Sequence, residues 1–373
     1  MGRTTDVGRG PGLDLLSQST ADDGQESTSS RPQSTTPAAR GLFGRNLLRR
    51  TRKAERVDPT VSGAAHCEHS RQVRKIGGVK EWPEALDGAA VVQALFTGWQ
   101  IETTDIRFVP LGEGCYHWSV DDTDQRRWFV SATDLDDAPW LGADRASAWR
   151  RLKTTMQAAA DLRTTVGHSF VVAPTPCPDG CVAWRVNERY GLVIHDFLEG
   201  ECGDFGAPLD ESTSATVLDM VAALHATPTA SVELGGLVEI APRDALDLDD
   251  PAFGPILDRY DELRRSCDGQ QQVVTHGEPH AGNIMRVDGD TYLIDWDTVA
   301  LALPERDLWL LVDHGIADVL TGYEERTGHL PNPEALSLYR LQWTIEDLMG
   351  SIRDGDDAAS QRLLEQASIA AGL

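Results

Sequence analysis

The sequence predicts an α+β body in two parts, a small β-rich N-lobe followed by a larger, mainly helical C-lobe. Three observations predict it. Short alternating strand patterns crowd residues 106–130, helical periodicity dominates from residue 208 onward, and 40% hydrophobic content over 373 residues suffices for a sizeable core.

Residues 1–78 are set apart by composition. The first 40 are rich in Ser, Thr, Gly, Pro and Asp with almost no apolar periodicity, which predicts a disordered extension. That extension is mildly basic, at net +5, and Gly41–Arg56 has the pattern of a short basic helix within it. The remaining chain carries a net −30. So acidic a body repels phosphate backbones and argues against nucleic acid as a partner, while it suits a cationic small molecule. No apolar run approaches the length of a membrane span, and the opening residues lack the apolar core of a signal peptide. The expectation is therefore a cytoplasmic protein.

The N-lobe is expected over 79–196. Residues 84–98 have helical spacing. Strands follow at Ile106–Leu111, Tyr116–Val120 and Arg127–Val130, the last after the Asp-Asp-Thr-Asp turn at 121–124. Residues 143–163 read as a helix, and Phe170–Ala173 and Tyr190–Ile194 as strands. Between the last two, Cys177-Pro-Asp-Gly-Cys181 reads as a hairpin tip with incidental cysteines. A metal site there would need a second pair of ligands, which His66-Cys67-Glu68-His69 offers on paper. Six scattered cysteines in a chain this long read as reduced thiols. The C-lobe is expected over 197–373, with its strongest helices at 211–226, 252–267, 305–327 and 333–352.

The chemistry is concentrated in Val273–Met285 and Thr291–Asp297. Two apolar runs flank a polar loop, and a second polar cluster ends the hairpin, which brings Glu278, His280, Asn283, Asp295 and Asp297 near one another. Phosphoryl transfer needs such an inventory. A carboxylate must take the proton of the attacking hydroxyl, and hard oxygen ligands must hold Mg²⁺ against the phosphates.

In these residues the chain resembles the aminoglycoside phosphotransferase family, within the protein-kinase-like fold. His276-Gly-Glu278, then Asn283, then Ile294-Asp-Trp296 follow the family's order, with Glu278 standing where the family has Asp. The resemblance implies that Glu278 is the catalytic base and that Asn283 and Asp295 bind Mg²⁺, with a minor metal role for Asp297. It implies that His276, His280 and Asp307, the last in Pro304-Glu-Arg-Asp-Leu308, support the catalytic loop. Val221-Ala-Ala-Leu-His225 is similar to the helix end that precedes the family's active site. For nucleotide, ATP or GTP, it points to Gly112 and Gly114 in the turn after the first strand, to Ser131 at the usual lysine position, and to the hinge Asp196-Phe197-Leu198. For the acceptor, a small-molecule alcohol that would be cationic to match the acidic lobe, Trp343 and Glu346 are the candidates.

The N-lobe departs from the family pattern. Ser131 replaces the phosphate-gripping lysine, and the helix after it has no glutamate in its first turns. Arg127, Arg145 and Lys153 are candidates to replace the missing cation. A kinase acting on a small molecule and a catalytically weak, pseudokinase-like binding module both remain open on this reading.

Overall fold

The computed structural model describes residues 81–372 apart from 112–113, 235–242, 244–245, 247, 249–250 and 314–317. The extension expected over 1–78, its basic helix and the His66–His69 cluster lie outside the described residues.

The N-lobe opens with α1 (Gly88–Trp99), which starts at an Asp87 cap accepting from the Ala90 amide at 2.7 Å. Five strands follow: β1 (Thr103–Val109), β2 (Cys115–Asp122), β3 (Arg127–Asp134), β4 (Trp184–Arg185) and β5 (Tyr190–Asp196). They form one antiparallel sheet in the order β1-β2-β3-β5-β4. The β2–β3 turn is locked by Asp122, which accepts from the Arg126 amide and from Trp128 Nε1, both at 2.8 Å. One sheet face buries Trp118, Val120, Val130, Leu192 and Ile194 against Leu86, Val91 and Leu95. Trp118 is the centre of that core, with Trp82 and Phe108 packed edge-on at 5.3 and 5.7 Å.

Helix α2 (Arg145–Asp161) begins with an Asp144–Ser147 capping box. Its buried residues Ala148, Leu152, Met156 and Ala159 join the larger core, which also contains Leu293 and Trp296. This helix therefore ties the sheet to the segment around Leu293 and Trp296. It ends in a π-turn, Leu162–Val166, closed by Gly167 at φ 93°. The strand expected at Phe170–Ala173 is not formed. Val171 makes one isolated parallel bridge to Leu293, and Pro174, without an amide, stops the ladder from extending.

The C-lobe carries α3 (Glu211–His225), α4 (Gly254–Ser266), α5 (Glu305–Asp313), α6 (Val319–Thr327), α7 (Pro333–Arg353) and α8 (Asp357–Ala371). The single helix expected over 305–327 is two. Asp318 stands at φ 57°, a left-handed conformation that a continuous helix does not admit. Helix α8 is an addition to the sequence reading. Asp356 caps it, its carboxylate accepting from the Ala359 amide at 2.9 Å. Short strands thread the helices: β6 (Glu201–Cys202), β7 (Val273–Thr275), β8 (Ile284–Val287), β9 (Asp290–Leu293) and β10 (Ala300–Ala302). β7 pairs with β10, and β8 pairs with both β6 and β9. Among the described residues, no helix is long and apolar enough to cross a membrane.

The N-lobe core gives a test. Trp118 is fully buried, and its Nε1 has no hydrogen-bond partner. Trp118→Ala should cost about 3–5 kcal/mol of stability, whereas Trp118→Phe, which keeps most of the ring and removes the unpaired N–H, should cost far less. Urea unfolding midpoints measure the contrast.

Candidate active site

The loop from His276 to Asn283 is held from below by one buried carboxylate. Asp307, at the start of α5, is fully buried and accepts from the His276 amide at 2.9 Å and the Gly277 amide at 2.6 Å. Its Oδ2 also meets His225 Nε2 at 3.0 Å, and His225 Nδ1 meets the Tyr323 hydroxyl at 2.7 Å. Burial pushes the Asp307 carboxyl up, but the His225 hydrogen bond and the His225 and Arg306 charges more than offset it, leaving it below the ordinary range.

Arg306 braces the same loop from the side. Its guanidinium donates to Thr275 Oγ1 and to the Thr298 carbonyl, both at 2.9 Å. Gly277 stands at φ 103°, and a Cβ there would meet the Arg306 guanidinium at 2.4–2.6 Å. Both the backbone angle and the space require glycine. The His276 ring is buried, with Nε2 donating to the Ile294 carbonyl at 2.9 Å and Nδ1 accepting from the Glu278 amide at 3.2 Å. The imidazole thus ties the loop to the end of β9.

Above this base, side chains converge as the sequence spacing implies. His280 Nδ1 accepts from the Gly282 amide at 3.1 Å, and Nε2 lies 3.3 Å from Asn283 Nδ2 and 3.5 Å from Glu278 Oε2. Asn283 donates from Nδ2 to the Glu278 carbonyl at 3.0 Å, so its Oδ1 is the atom able to take a cation. The β8–β9 pairing sets Asn283 beside the end of β9, with the Ile294 amide on the Asn283 carbonyl at 3.0 Å. Asp295 follows at φ 66°, and its carboxyl shares a hydrogen bond with that of Asp297. Burial and the neighbouring Glu278 charge push Asp297 up to about 6, while Trp140 Nε1 at 2.7 Å, Asp295 and the Arg151 charge pull it down. The Asn283 amide oxygen and the paired Asp295 and Asp297 carboxyls are hard oxygens, the donor type that Mg²⁺ takes.

The other sequence candidates fall as follows. Gly112 lies outside the described residues. Gly114 stands at φ 81°, and a Cβ there would come within 2.7–2.9 Å of the Trp140 ring, so this glycine makes room for the residue that holds Asp297. Ser131 faces His117 across β2–β3, with Oγ 3.0 Å from Nδ1. The three candidate cations are engaged elsewhere: Arg145 with Asp136, Arg127 with Asp121 and Glu199, and Lys153 over the Trp149 ring. At the hinge, Asp196 pairs with Arg126 at 2.8 Å, and the Phe197 amide donates to the Arg127 carbonyl at 3.2 Å. Leu198 follows directly, partly buried. Trp343 on α7 stacks on Phe205 at 6.4 Å, and Phe205 meets the His280 ring edge-on at 4.7 Å. Glu346, on the same helix, accepts from Gln342 at 3.0 Å.

Four residues at the site were missed from sequence: Arg306, Trp140, Arg151 and Phe205. Arg306 was within reach, since it precedes Asp307 inside the quoted motif. The others come from distant segments and carry no local pattern.

A β-rich lobe joined to a helical lobe, with an acid–amide–acid cluster on a hairpin, defines a kinase-like phosphotransfer fold. Residues 187–339 match the phosphotransferase enzyme family, and the resemblance read from the loop motifs holds. No curated protein matches the chain. Among solved structures, a spectinomycin phosphotransferase with ADP and spectinomycin is 15% identical, with a TM-score of 0.56 over 76% of this chain and 98% of that one. An amicoumacin kinase with AMP-PNP and Ca²⁺ is 12% identical, with a TM-score of 0.56 over 77% and 93%. A thermostable mutant of an aminoglycoside phosphotransferase with ADP and hygromycin B is 14% identical, with a TM-score of 0.50 over 76% and 98%. At these identities the likeness establishes the two-lobed fold.

Two predictions follow from the loop's support. Gly277→Ala should destabilise by about 1–3 kcal/mol, through the strained φ and the displaced Arg306, read as a lowered unfolding midpoint. Burial holds the His276 ring down to about 4. The unfolded chain therefore binds the extra proton between about pH 6.5 and 4, and stability should fall as pH drops through that window, by up to ~1.4 kcal/mol per pH unit. Urea titrations across that range should show a shallower slope in His276→Gln.

Proposed function

We propose that this chain transfers the γ-phosphoryl group of ATP or GTP to a hydroxyl of a small molecule. The observation that carries this reading is the placement of Glu278. Its carboxylate lies on a loop whose backbone is fixed by Asp307 and Arg306, beside the Asn283–Asp295–Asp297 oxygen set. Glu278 would accept the proton of the acceptor hydroxyl as that oxygen bonds to phosphorus and the bond to the nucleotide's bridging oxygen breaks. His280 Nε2, 3.5 Å away, would help to turn the carboxylate toward the acceptor. Asn283, Asp295 and Asp297 would hold Mg²⁺, which when bound supplies charge neutralisation at the phosphates.

Glu in place of Asp extends the side chain by one methylene. Pro279 restricts Glu278 to extended backbone, which supports the longer acid in a fixed position, since ångström-scale misplacement can cost ~10² in rate. Phe205 and Trp343 support an acceptor site beside His280, where a sugar-like or amine-bearing ring would lie against their faces. The relatives solved with spectinomycin and hygromycin B favour that acceptor class. Ser131 favours a second reading, a nucleotide-binding module without turnover, because a hydroxyl paired to His117 supplies no fixed positive charge to phosphates.

The test has two stages. Nucleotide with Mg²⁺ at 100 times its Kd should stabilise the chain by roughly 2.7 kcal/mol in thermal unfolding, and an absence of any shift at millimolar ATP or GTP defeats both readings. Transfer of labelled phosphate should then be sought across a panel of amino-sugars and simpler alcohols. Glu278→Gln should lower kcat by about 10²–10⁴ while preserving the nucleotide shift. Unchanged transfer in that variant removes Glu278 as the base, and binding without transfer on any acceptor selects the second reading.

A further inference from the structure

A second cluster of metal-competent side chains lies in the N-lobe, on the loop that joins Val171 to β4. From Val172 to Ala183 the chain forms no helix or strand. The Val172 amide donates to the Leu293 carbonyl at 3.1 Å, and Val182 and Ala183 are buried in the larger core. The Thr175 amide donates to the Ile194 carbonyl at 2.8 Å, and Trp99 Nε1 donates to the Thr175 carbonyl at 2.8 Å. Beyond those, Cys177-Pro-Asp-Gly-Cys181 folds back on itself. The Cys177 amide donates to the Cys181 carbonyl at 2.6 Å, and the Gly180 amide to the Cys177 carbonyl at 2.8 Å. Gly180, at φ 89°, completes the turn.

This turn does more than reverse the chain. It points three alternate side chains at one spot: the Cys177 thiol, the Asp179 carboxylate and the Cys181 thiol all offer ligand atoms within 4.8 Å of one another. The Cys181 amide donates to Asp179 Oδ1 at 3.2 Å, which fixes the carboxylate on the side of the thiols. Cys177 is buried in the N-lobe core, Cys181 is partly buried and packs against it, and Asp179 is exposed. The cluster thus has a dry, anchored side and a side open to water. The two thiols are also neighbours close enough to hydrogen-bond.

We propose that Cys177, Asp179 and Cys181 bind one thiophilic divalent cation of the zinc class, with water completing a tetrahedron. Two soft thiolates with one carboxylate suit Zn²⁺ and exclude Mg²⁺ or Ca²⁺, which take oxygen ligands alone. The second ligand pair that the sequence alone seemed to demand is not required, because Asp179 supplies the third ligand from within the same turn. The function is structural. A cation clipped across five residues would fix a long irregular loop onto the core beside α1 and β5, where loop entropy otherwise opposes order. This site is independent of the phosphotransfer reading, and neither depends on the other.

The probe is Co²⁺, followed by Zn²⁺, added to the full-length chain after reduction and chelator treatment. One equivalent of Co²⁺ should give a thiolate-to-cobalt charge-transfer band in the near ultraviolet, Zn²⁺ should bleach it stoichiometrically, and Zn²⁺ should raise the thermal midpoint. Cys177→Ser and Cys181→Ser should abolish the band. Asp179→Ala should weaken affinity by at least the roughly 10–100-fold that loss of an outer-shell partner costs. Cys202→Ser and the triple variant His66→Ala/Cys67→Ser/His69→Ala should keep the band, which separates this turn from the other thiols and from the N-terminal cluster. If Cys177→Ser itself fails to fold, Asp179→Ala, on the exposed edge, carries the test. No band at one equivalent, a band that survives loss of either thiol, or one lost with the N-terminal variant overturns the proposal. So does a Cys177–Cys181 disulfide, seen by mass as the loss of two hydrogens, if the reduced protein then takes up no metal.

Discussion

The buried carboxylate of Asp307 is the constraint on which the site depends. It has no accessible surface, yet it stays ionised because two backbone amides and the His225 imidazole point at it. A buried charge is tolerable only when its lone pairs are filled, and every donor that fills them here belongs to the catalytic loop or to the end of α3. The cost of burying the charge is thereby converted into positional order. Moving His276 or Gly277 strands the carboxylate, so the loop has one low-energy placement. Arg306 adds a second restraint of the same kind, bonded to Thr275 on one side of the loop and to Thr298 on the other.

That base explains why so many acids can crowd above it. Burial and, after it, the Glu278 charge raise Asp297, while the hydrogen bonds from Trp140 and Asp295 hold it down. The positions of Glu278, Asp295 and Asp297 come from a rigid loop and a tight hairpin, so they cannot relax apart as solvated acids would. The local electrostatics favour a cation. The protein's own contribution of positive charge is small. Arg151 bears on Asp297 from α2, a helix that packs against residues 296–298, and Trp140 supplies a neutral donor.

How much of this was legible in the sequence follows from distance along the chain. Glu278, His280 and Asn283 lie within six residues, and the hairpin returns Asp295 and Asp297 to them, so local spacing carried most of the cluster. Asp307 was legible through its motif. The helices at 211–225 and 333–353 were legible because apolar periodicity is strong there. Trp140, Arg151 and Phe205 were not, because each reaches the site through tertiary packing from a segment whose pattern is that of a turn, a helix or a loop. The break between α5 and α6 was hidden for another reason: Asp318 looks like any helical surface acid until its φ is known.

A further link between the lobes runs through Trp140. Its indole N–H is bonded to Asp297, and its ring lies beneath Gly114, where no side chain fits. Gly114 and Asp297 therefore share a single aromatic neighbour. Anything that lifts the turn removes the packing surface over Trp140, and anything that reorients Asp297 removes the hydrogen bond that holds its ring in place. In kinases with the lysine, a charge pair couples strand to helix. On β3, Ser131 lies 3.0 Å from His117 Nδ1, and the contact across to Asp297 is made by Trp140 packed beside Gly114. Such a coupling relies on shape and one charge-assisted hydrogen bond rather than on a long-range field, so it survives screening by salt but tolerates almost no change in side-chain volume at Gly114.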